Sequence, residues 1–322
     1  VVMFIFDGHV DTLAVLAERS EGWDLGVLAD AHVNLPKLEK AGYGAQIFAI
    51  YVSRKYSAGL ALHMALKMVD IFWQNMERYH ERLKPVLCRN DLQPAEADPR
   101  ISCLLSVEGG EALEGSLANL RNLFRLGVRA LTLTWNNRND LGDGVGEGDR
   151  ASGLSPFGCE VVAEMNRLGM LIDVSHLAEK GFWDVLTLSE APVIASHSNA
   201  YALCRHPRNL TDEQIKALAA KGGVIGVNFY PKHVTDTPDN CTIDHVVDQI
   251  VYLYRTGGSD AVALGSDFDG ISSTPAGLDD VEKVPCLIAA MEERGLPSAV
   301  IEKIMGLNLL RVAKQVLPER SS

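Results

Sequence analysis

Eight short apolar runs, spaced along the chain with helix-like sequence between them, set the strongest limit on what this sequence can fold into. They are residues 3–7, 45–52 (AQIFAIYV), 101–107 (ISCLLSV), 128–134, 170–174, 192–196, 223–228 and 261–265. Each is continuous rather than alternating, as strands buried on both faces are. Amphipathic stretches fall at 60–83, 111–126, 159–168, 211–221 and 241–256, and the fourth opens with the capping-box pattern Thr211-Asp-Glu-Gln214. Strand and helix in alternation eight times over predict an α/β protein, a closed (β/α)8 TIM-type barrel. A doubly wound sheet is the alternative, but no G-x-G-x-x-G follows the first run. The sequence after 279 predicts two or three extra C-terminal helices packed outside. With 322 residues, 47% of them hydrophobic, the chain has enough apolar material for such a core, and no repeat or linker interrupts it. Residues 1–322 therefore read as one domain.

Composition removes several function classes. A net charge of −12, with acidic and basic residues interspersed, argues against nucleic acid and anionic membranes as partners. The six cysteines lie far apart without a C-x-x-C pair, which suits buried thiols in a reducing compartment better than a disulfide framework. No run approaches the roughly 20 apolar residues of a membrane span. The opening apolar residues 1–6 are too few for a signal segment, and the polar end 317–322 lacks the tail of a lipid-anchor signal. The expectation is a cytoplasmic protein.

Chemistry gathers where the runs end. The first leads into His9-Val-Asp11, and the third ends Ser106-Val-Glu108. The fifth ends Asp173-Val-Ser-His176, the sixth Ser196-His197 and the eighth Gly265-Ser-Asp267. Each residue alone has a plainer reading: a hydrogen-bonded structural histidine, or an acid at a helix N-terminus. A barrel, however, puts all five strand ends on one rim. Three histidines and three carboxylates buried together there would need a cation. Residues 135–156, rich in Asn, Asp and Gly, form a long connection on that same face, where barrel enzymes carry their sites. His32, His63, His80 and His245 sit in helical or loop contexts and read as surface residues.

These motifs carry a resemblance. D-G-H-V-D (7–11), S-V-E-G-G (106–110), L-T-L-T (131–134), I-D-V-S-H (172–176), S-H-S-N-A (196–200), H-P-R-N (206–209), V-N-F-Y (227–230) and G-S-D-F-D-G (265–270) occur in the order seen in the membrane (renal) dipeptidase family. The chain resembles that family over nearly its whole length, and residues 308–312 are similar to its closing helix. The resemblance implies two zinc ions per chain, one held by His9 and Asp11, the other by His176 and His197. Glu108 and a water or hydroxide would bridge them. Asp267 matches the family's acid/base, and Arg208 the residue that grips the substrate's terminal carboxylate.

Two positions depart from the family pattern. Trp135 stands after L-T-L-T, where many members have a histidine that steadies the oxyanion, so that task falls to Asn136, Asn137 or zinc. His233 stands three residues past Tyr230, where mammalian members have a tyrosine. Trp135, Asn136, Asn137, Tyr230 and His233 are accordingly expected around the substrate. The resemblance implies hydrolysis of free dipeptides, including those with a D-residue at the C-terminal position, with no membrane partner. It also allows a homodimer. The rival readings are lactone or N-acyl amino acid hydrolysis at the same metals, or a ligand-binding barrel without catalysis.

Overall fold

The computed structural model describes residues 3–19, 22–56, 59–93 and 97–320. The terminal residues 1–2 and 321–322, on which the expectations about a signal or an anchor partly rest, lie outside them. Eight parallel strands close into a barrel: β1 (Ile5–Val10), β2 (Tyr43–Tyr51), β4 (Ile101–Glu108), β5 (Val128–Thr132), β6 (Leu171–Asp173), β7 (Ile194–Ala195), β8 (Val224–Val227) and β9 (Val262–Leu264). A further short strand, β3 (Leu83–Pro85), pairs beside the start of β4 with Leu83 opposite Ile101. Closure is made where β9 pairs with β1 and β2 with β4, the latter in register from Ala45–Ser102 to Tyr51–Glu108.

All eight expected strands are present, most within two or three residues of their expected ends. The helix expected over 60–83 stops at Arg78, residues 79–82 form a turn, and Leu83 begins β3. Pro85 disfavours helical backbone in the residue before it and lacks the amide a helix would use. The stretch 111–126 divides into a short 3-10 turn and the helix Leu117–Arg125. The expected capping box forms: Thr211 Oγ1 accepts from the Gln214 amide, and Gln214 Oε1 from the Thr211 amide. The helix Glu179–Leu188 was not expected from the sequence.

Side chains alternate along each strand, so every strand serves two cores. One face packs against the surrounding helices, as Cys103, Leu105 and Val107 of β4 do. The other faces the barrel axis. At the bottom, Phe6, Ile47, Leu104, Ala130, Leu171, Ile194, Val224 and Ala263, one from each barrel strand, form an interior cluster. The last helix, Asn308–Val316, was expected to pack outside. Instead its Leu309, Val312 and Ala313 join that cluster and cover the bottom of the barrel. Asn308 fixes the helix there by donating to the carbonyls of Ser259 and Val262 at 2.7 and 2.8 Å.

One step up the axis the layer turns small and polar: Gly8, Ser106, Thr132, Asp173, Ser196, Gly226 and Gly265. The glycines are required by backbone approach. A Cβ on Gly226 or Gly265 would stand 2.0 or 1.9 Å from the Ser196 carbonyl oxygen. The chain is thus drawn inward at β7–β9, directly beneath the next layer, where the chemistry-bearing residues lie.

All six cysteines are free thiols, four of them buried, which agrees with their expected role as packing residues. No described helix is long and apolar enough to cross a membrane. Overpacking a core typically costs about 1–3 kcal/mol. Because the obstruction here is backbone, Gly265→Ala should lose at least about 3 kcal/mol by urea unfolding. Thr211→Ala, which removes a cap, should lose about 1 kcal/mol.

Candidate metal centre

The top layer assembles the strand-end residues that the sequence singles out. β1 carries His9, and Asp11 follows its last residue as the N-cap of the helix Thr12–Glu18. Glu108 ends β4, His176 and His197 lie just past β6 and β7, and Asp267 lies past β9. All but Asp267 are buried. His9 Nε2 lies 3.5 Å from Asp11 Oδ2 and 3.7 Å from Glu108 Oε2. Glu108 Oε1 lies 3.0 Å from His176 Nε2 and 3.6 Å from His197 Nε2, so the carboxylate spans both pairs of ligand atoms. The His9 and His197 rings stack with centroids 3.9 Å apart.

Three sets of ligand atoms lie within 4.8 Å of one another: His9/Asp11/Glu108, Glu108/His176/His197 and His9/His197/Asp267. The donor set fits divalent cations on physical grounds. Both ring nitrogens of His9 and Oδ1 of Asp11 are buried without a hydrogen-bond partner. Burial, reinforced by Arg208 and by neighbouring histidines, holds His176 and His197 well below the usual histidine pKa, so both rings are neutral. Their Nε2 atoms nevertheless approach to 2.8 Å. At most one proton fits between two such nitrogens, whereas a cation satisfies both. Burial works against a charged His9, but Glu108 and Asp11 override it and raise its pKa well above the ordinary value, the mark of a place that favours positive charge.

Asp267 is pushed up to about 8, by burial first and then by Asp11 and Glu108 acting against the favourable His9. Asn228 Nδ2 donates to its Oδ2 at 2.9 Å. His176, Asp267 and Asp269 all have left-handed backbone, with φ of 66°, 63° and 67°. For residues with a Cβ this costs about 1–2 kcal/mol each, and three such residues on one rim mark a site where geometry outweighs local comfort.

A cavity of about 360 Å³ opens over the cluster, lined by Asp11, Glu108, His176 and Asp267 with Tyr51, Trp135, Asn136, Tyr230 and His233. A second, of about 600 Å³, shares His176 and has Arg208, Asn209, Tyr201 and Lys180 in its wall. Of the expected substrate residues, Trp135, Asn136, Tyr230 and His233 thus line the first cavity. Arg208 lines the second, and Asn137 lines neither.

Arg208 is 4% exposed. Its Nη2 donates to the His197 carbonyl at 2.9 Å and its Nε has no partner. Asn136 Oδ1 lies 2.7 Å from His176 Nδ1. Trp135 packs between Tyr51 and His176, at 5.4 and 6.0 Å between ring centroids. Burial, with Arg208 beside it, lowers His233 to about 2, so it serves as a neutral ring.

The long connection 135–156 is organised rather than loose. Arg138 pairs with Asp143, which also accepts from the Ser152 amide, while the Asp143 carbonyl accepts from Ala178. His32, expected at the surface, is instead half-buried at the rim: its Nδ1 accepts from the Asp269 amide at 2.9 Å, and its own amide donates to Asp269 Oδ1 at 2.7 Å. His245, also expected at the surface, is half-buried and completes a capping box with Thr242. Sequence reasoning also missed Tyr51, Asn228 and Asp269. Asn228 and Asp269 lie inside quoted motifs, V-N-F-Y and G-S-D-F-D-G, and that was their available signal.

Comparison with known proteins identifies the family. The sequence profile of the membrane dipeptidase family (peptidase family M19) matches residues 1–321. Dipeptidase tcpJ of Claviceps purpurea is 37% identical over 294 residues, 88% of this chain and 69% of the relative. The crystal structure of dipeptidase AC, a metallopeptidase of family M19, superposes with a TM-score of 0.93 at 31% identity, covering 98% of this chain and 99% of the other. A metallopeptidase from Rhodobacter sphaeroides, solved with a phosphinate mimic of the dipeptide L-Ala-D-Ala, superposes with a TM-score of 0.91 at 30% identity over 98% and 100% of the two chains. The chain therefore belongs to the membrane dipeptidase family, peptidase family M19, a family of metal-dependent dipeptidases.

Proposed function

We propose that this protein is a binuclear zinc dipeptidase that hydrolyses free dipeptides, of L-Xaa-L-Xaa and L-Xaa-D-Xaa form. The observation that carries this reading is the convergence of buried imidazole nitrogens and carboxylate oxygens from His9, Asp11, Glu108, His176 and His197. His9 and Asp11 would hold one ion, His176 and His197 the other, and Glu108, whose two oxygens face both pairs, would belong to each. Divalent zinc bound there activates water at neutral pH and polarises a carbonyl oxygen.

The chain's own residues supply the rest. Asp267 has Oδ2 held by Asn228, so Oδ1 is the atom that carries a proton to the departing amine. Arg208 reads the substrate's terminal carboxylate. Its Nε is a buried donor without an acceptor, and a guanidinium suits a carboxylate better than any other side chain does. The scissile bond then lies over the cluster, with the first residue in the cavity walled by Tyr51 and Trp135 and the second towards the cavity walled by Arg208 and Lys180. Tolerance of a D-residue in the second position is consistent with the L-Ala-D-Ala mimic held by the Rhodobacter relative. A screen of both dipeptide series with zinc-loaded protein tests the reading, and activity confined to N-acylated or lactone substrates would sink it.

Elemental analysis of Glu108→Ala should show metal content well below wild type. Asp267→Asn should retain both ions but lose about 10²-fold or more in kcat, the usual scale of acid–base catalysis. Arg208→Ala should raise KM for dipeptides strongly, the loss of a charge-assisted pair being about 2–5 kcal/mol. Amidating the substrate's C-terminus should harm wild type far more than this variant; equal penalties would remove Arg208 as the carboxylate reader.

A further inference from the structure

The ring nitrogens facing away from the cluster are held as closely as those facing it. Asp173, at the end of β6 and 1% exposed, accepts four hydrogen bonds. Its Oδ1 takes the amides of Ser175 and Ser196 at 3.0 and 2.9 Å. Its Oδ2 takes the hydroxyls of Thr132 and Ser196 at 2.6 and 2.5 Å. Ser196 has one proton, and this carboxylate receives it. Only lone pairs remain on Ser196 Oγ, and His197 Nδ1 lies 2.8 Å from them. The bond therefore requires the proton to sit on His197 Nδ1, which leaves a lone pair on Nε2.

Asn136 acts on the second ring from a different element. Its Oδ1, an atom that only accepts, lies 2.7 Å from His176 Nδ1. The proton again belongs on Nδ1, and the lone pair on Nε2. The two Nε2 atoms then face each other at 2.8 Å with no proton between them, and Glu108 Oε1 completes the set of acceptors.

We propose that the Asp173–Ser196 pair and Asn136 are positioning residues that lock His197 and His176 in the Nδ1–H tautomer, presenting both Nε2 lone pairs before a cation arrives. This rests on the reading of those two histidines as metal ligands and adds a cause for it. It also changes the role expected for Asn136: with its oxygen committed to His176, only its amide N–H remains for a substrate. Outer partners of this kind typically govern metal affinity by 10–100-fold.

The test uses full-length protein with ¹⁵N-labelled histidine. Long-range ¹H–¹⁵N spectra of the metal-free form report the tautomer of each ring, and competition with a chromophoric chelator reports zinc affinity. Both rings should read as Nδ1–H in wild type. Ser196→Ala should release His197 into a tautomer mixture and weaken zinc binding by about 10–100-fold, while Ser196→Thr restores both. Asn136→Ala should do the same to His176 alone, and Asn136→Asp should restore it. An Nε2–H signal for either ring in wild type, or zinc affinity unchanged in both alanine variants, would overturn the proposal. Wild-type protein that shows both Nδ1–H rings yet binds no zinc would overturn the metal reading and leave the tautomer lock standing.

Discussion

The structure is organised around an electrostatic imbalance at the top of the barrel. Atoms that accept hydrogen bonds, from Asp11, Glu108, His176, His197 and Asp267, are brought together with few donors among them. Burying one unpaired carboxylate already costs several kcal/mol after relaxation, so this cluster opposes folding unless something positive joins it. The protein supplies part of that charge itself: His9 is driven towards its protonated form, and Arg208 lies close enough to help lower His176, His197 and His233. Divalent cations supply the rest more effectively, because they satisfy several acceptors at once. Metal affinity and stability are therefore linked in this chain, as binding to the native state alone raises stability.

The barrel holds this cluster through its layers. A dry apolar layer capped by the helix Asn308–Val316 forms the base, and a small polar layer built on Asp173, Ser196 and the glycines of β8 and β9 sits above it. The middle layer does two jobs. Its glycines let β7, β8 and β9 approach, which brings His197 and Asp267 towards the axis. Its Asp173 carboxylate ties Thr132 of β5 to Ser196 after β7, across the strand between them. The strands thus set where the candidate ligands emerge, while left-handed backbone at His176 and Asp267 redirects the chain there.

Much of this was legible from the sequence, for a physical reason. Strands buried on both faces need continuous apolar runs, and the eight runs stand out against amphipathic helices. His9, Asp11, Glu108, His176, His197 and Asp267 were legible because barrel topology converts the end of each run into a place on one rim. What escaped notice had no periodic signal. β3 is a three-residue strand after a long helix, and the C-terminal helix reads as amphipathic whether it covers the outside or the base. Asn137 resembles Asn136 in sequence, and only folding decides which of two adjacent amides reaches His176. His32 looked like a surface residue because its partner, Asp269, lies 237 positions away.

Trp135 changes the division of labour at the site. An indole has one N–H and takes no part in proton transfer near neutral pH, so proton transfer must rest on the other groups lining the cavity. Asp11, Glu108 and His176 are committed to cations on the proposed reading. Asp269 is tied to Thr12 Oγ1 and to the His32 amide. Glu18 lies at the exposed rim, paired with Lys55. His233, at about 2, takes up no proton near neutrality. Asp267 combines a pKa pushed up to about 8 with an oxygen that its neighbour Asn228 leaves unengaged, and on the proposed reading it holds no cation. The indole meanwhile gives the cavity an apolar wall against Tyr51 and shields the face of His176 from water, which strengthens every charge interaction beneath it. On the proposed reading, an indole at position 135 would leave acid–base work to the Asp267 carboxyl, and the residues that would hold the cations would place them where an oxyanion develops.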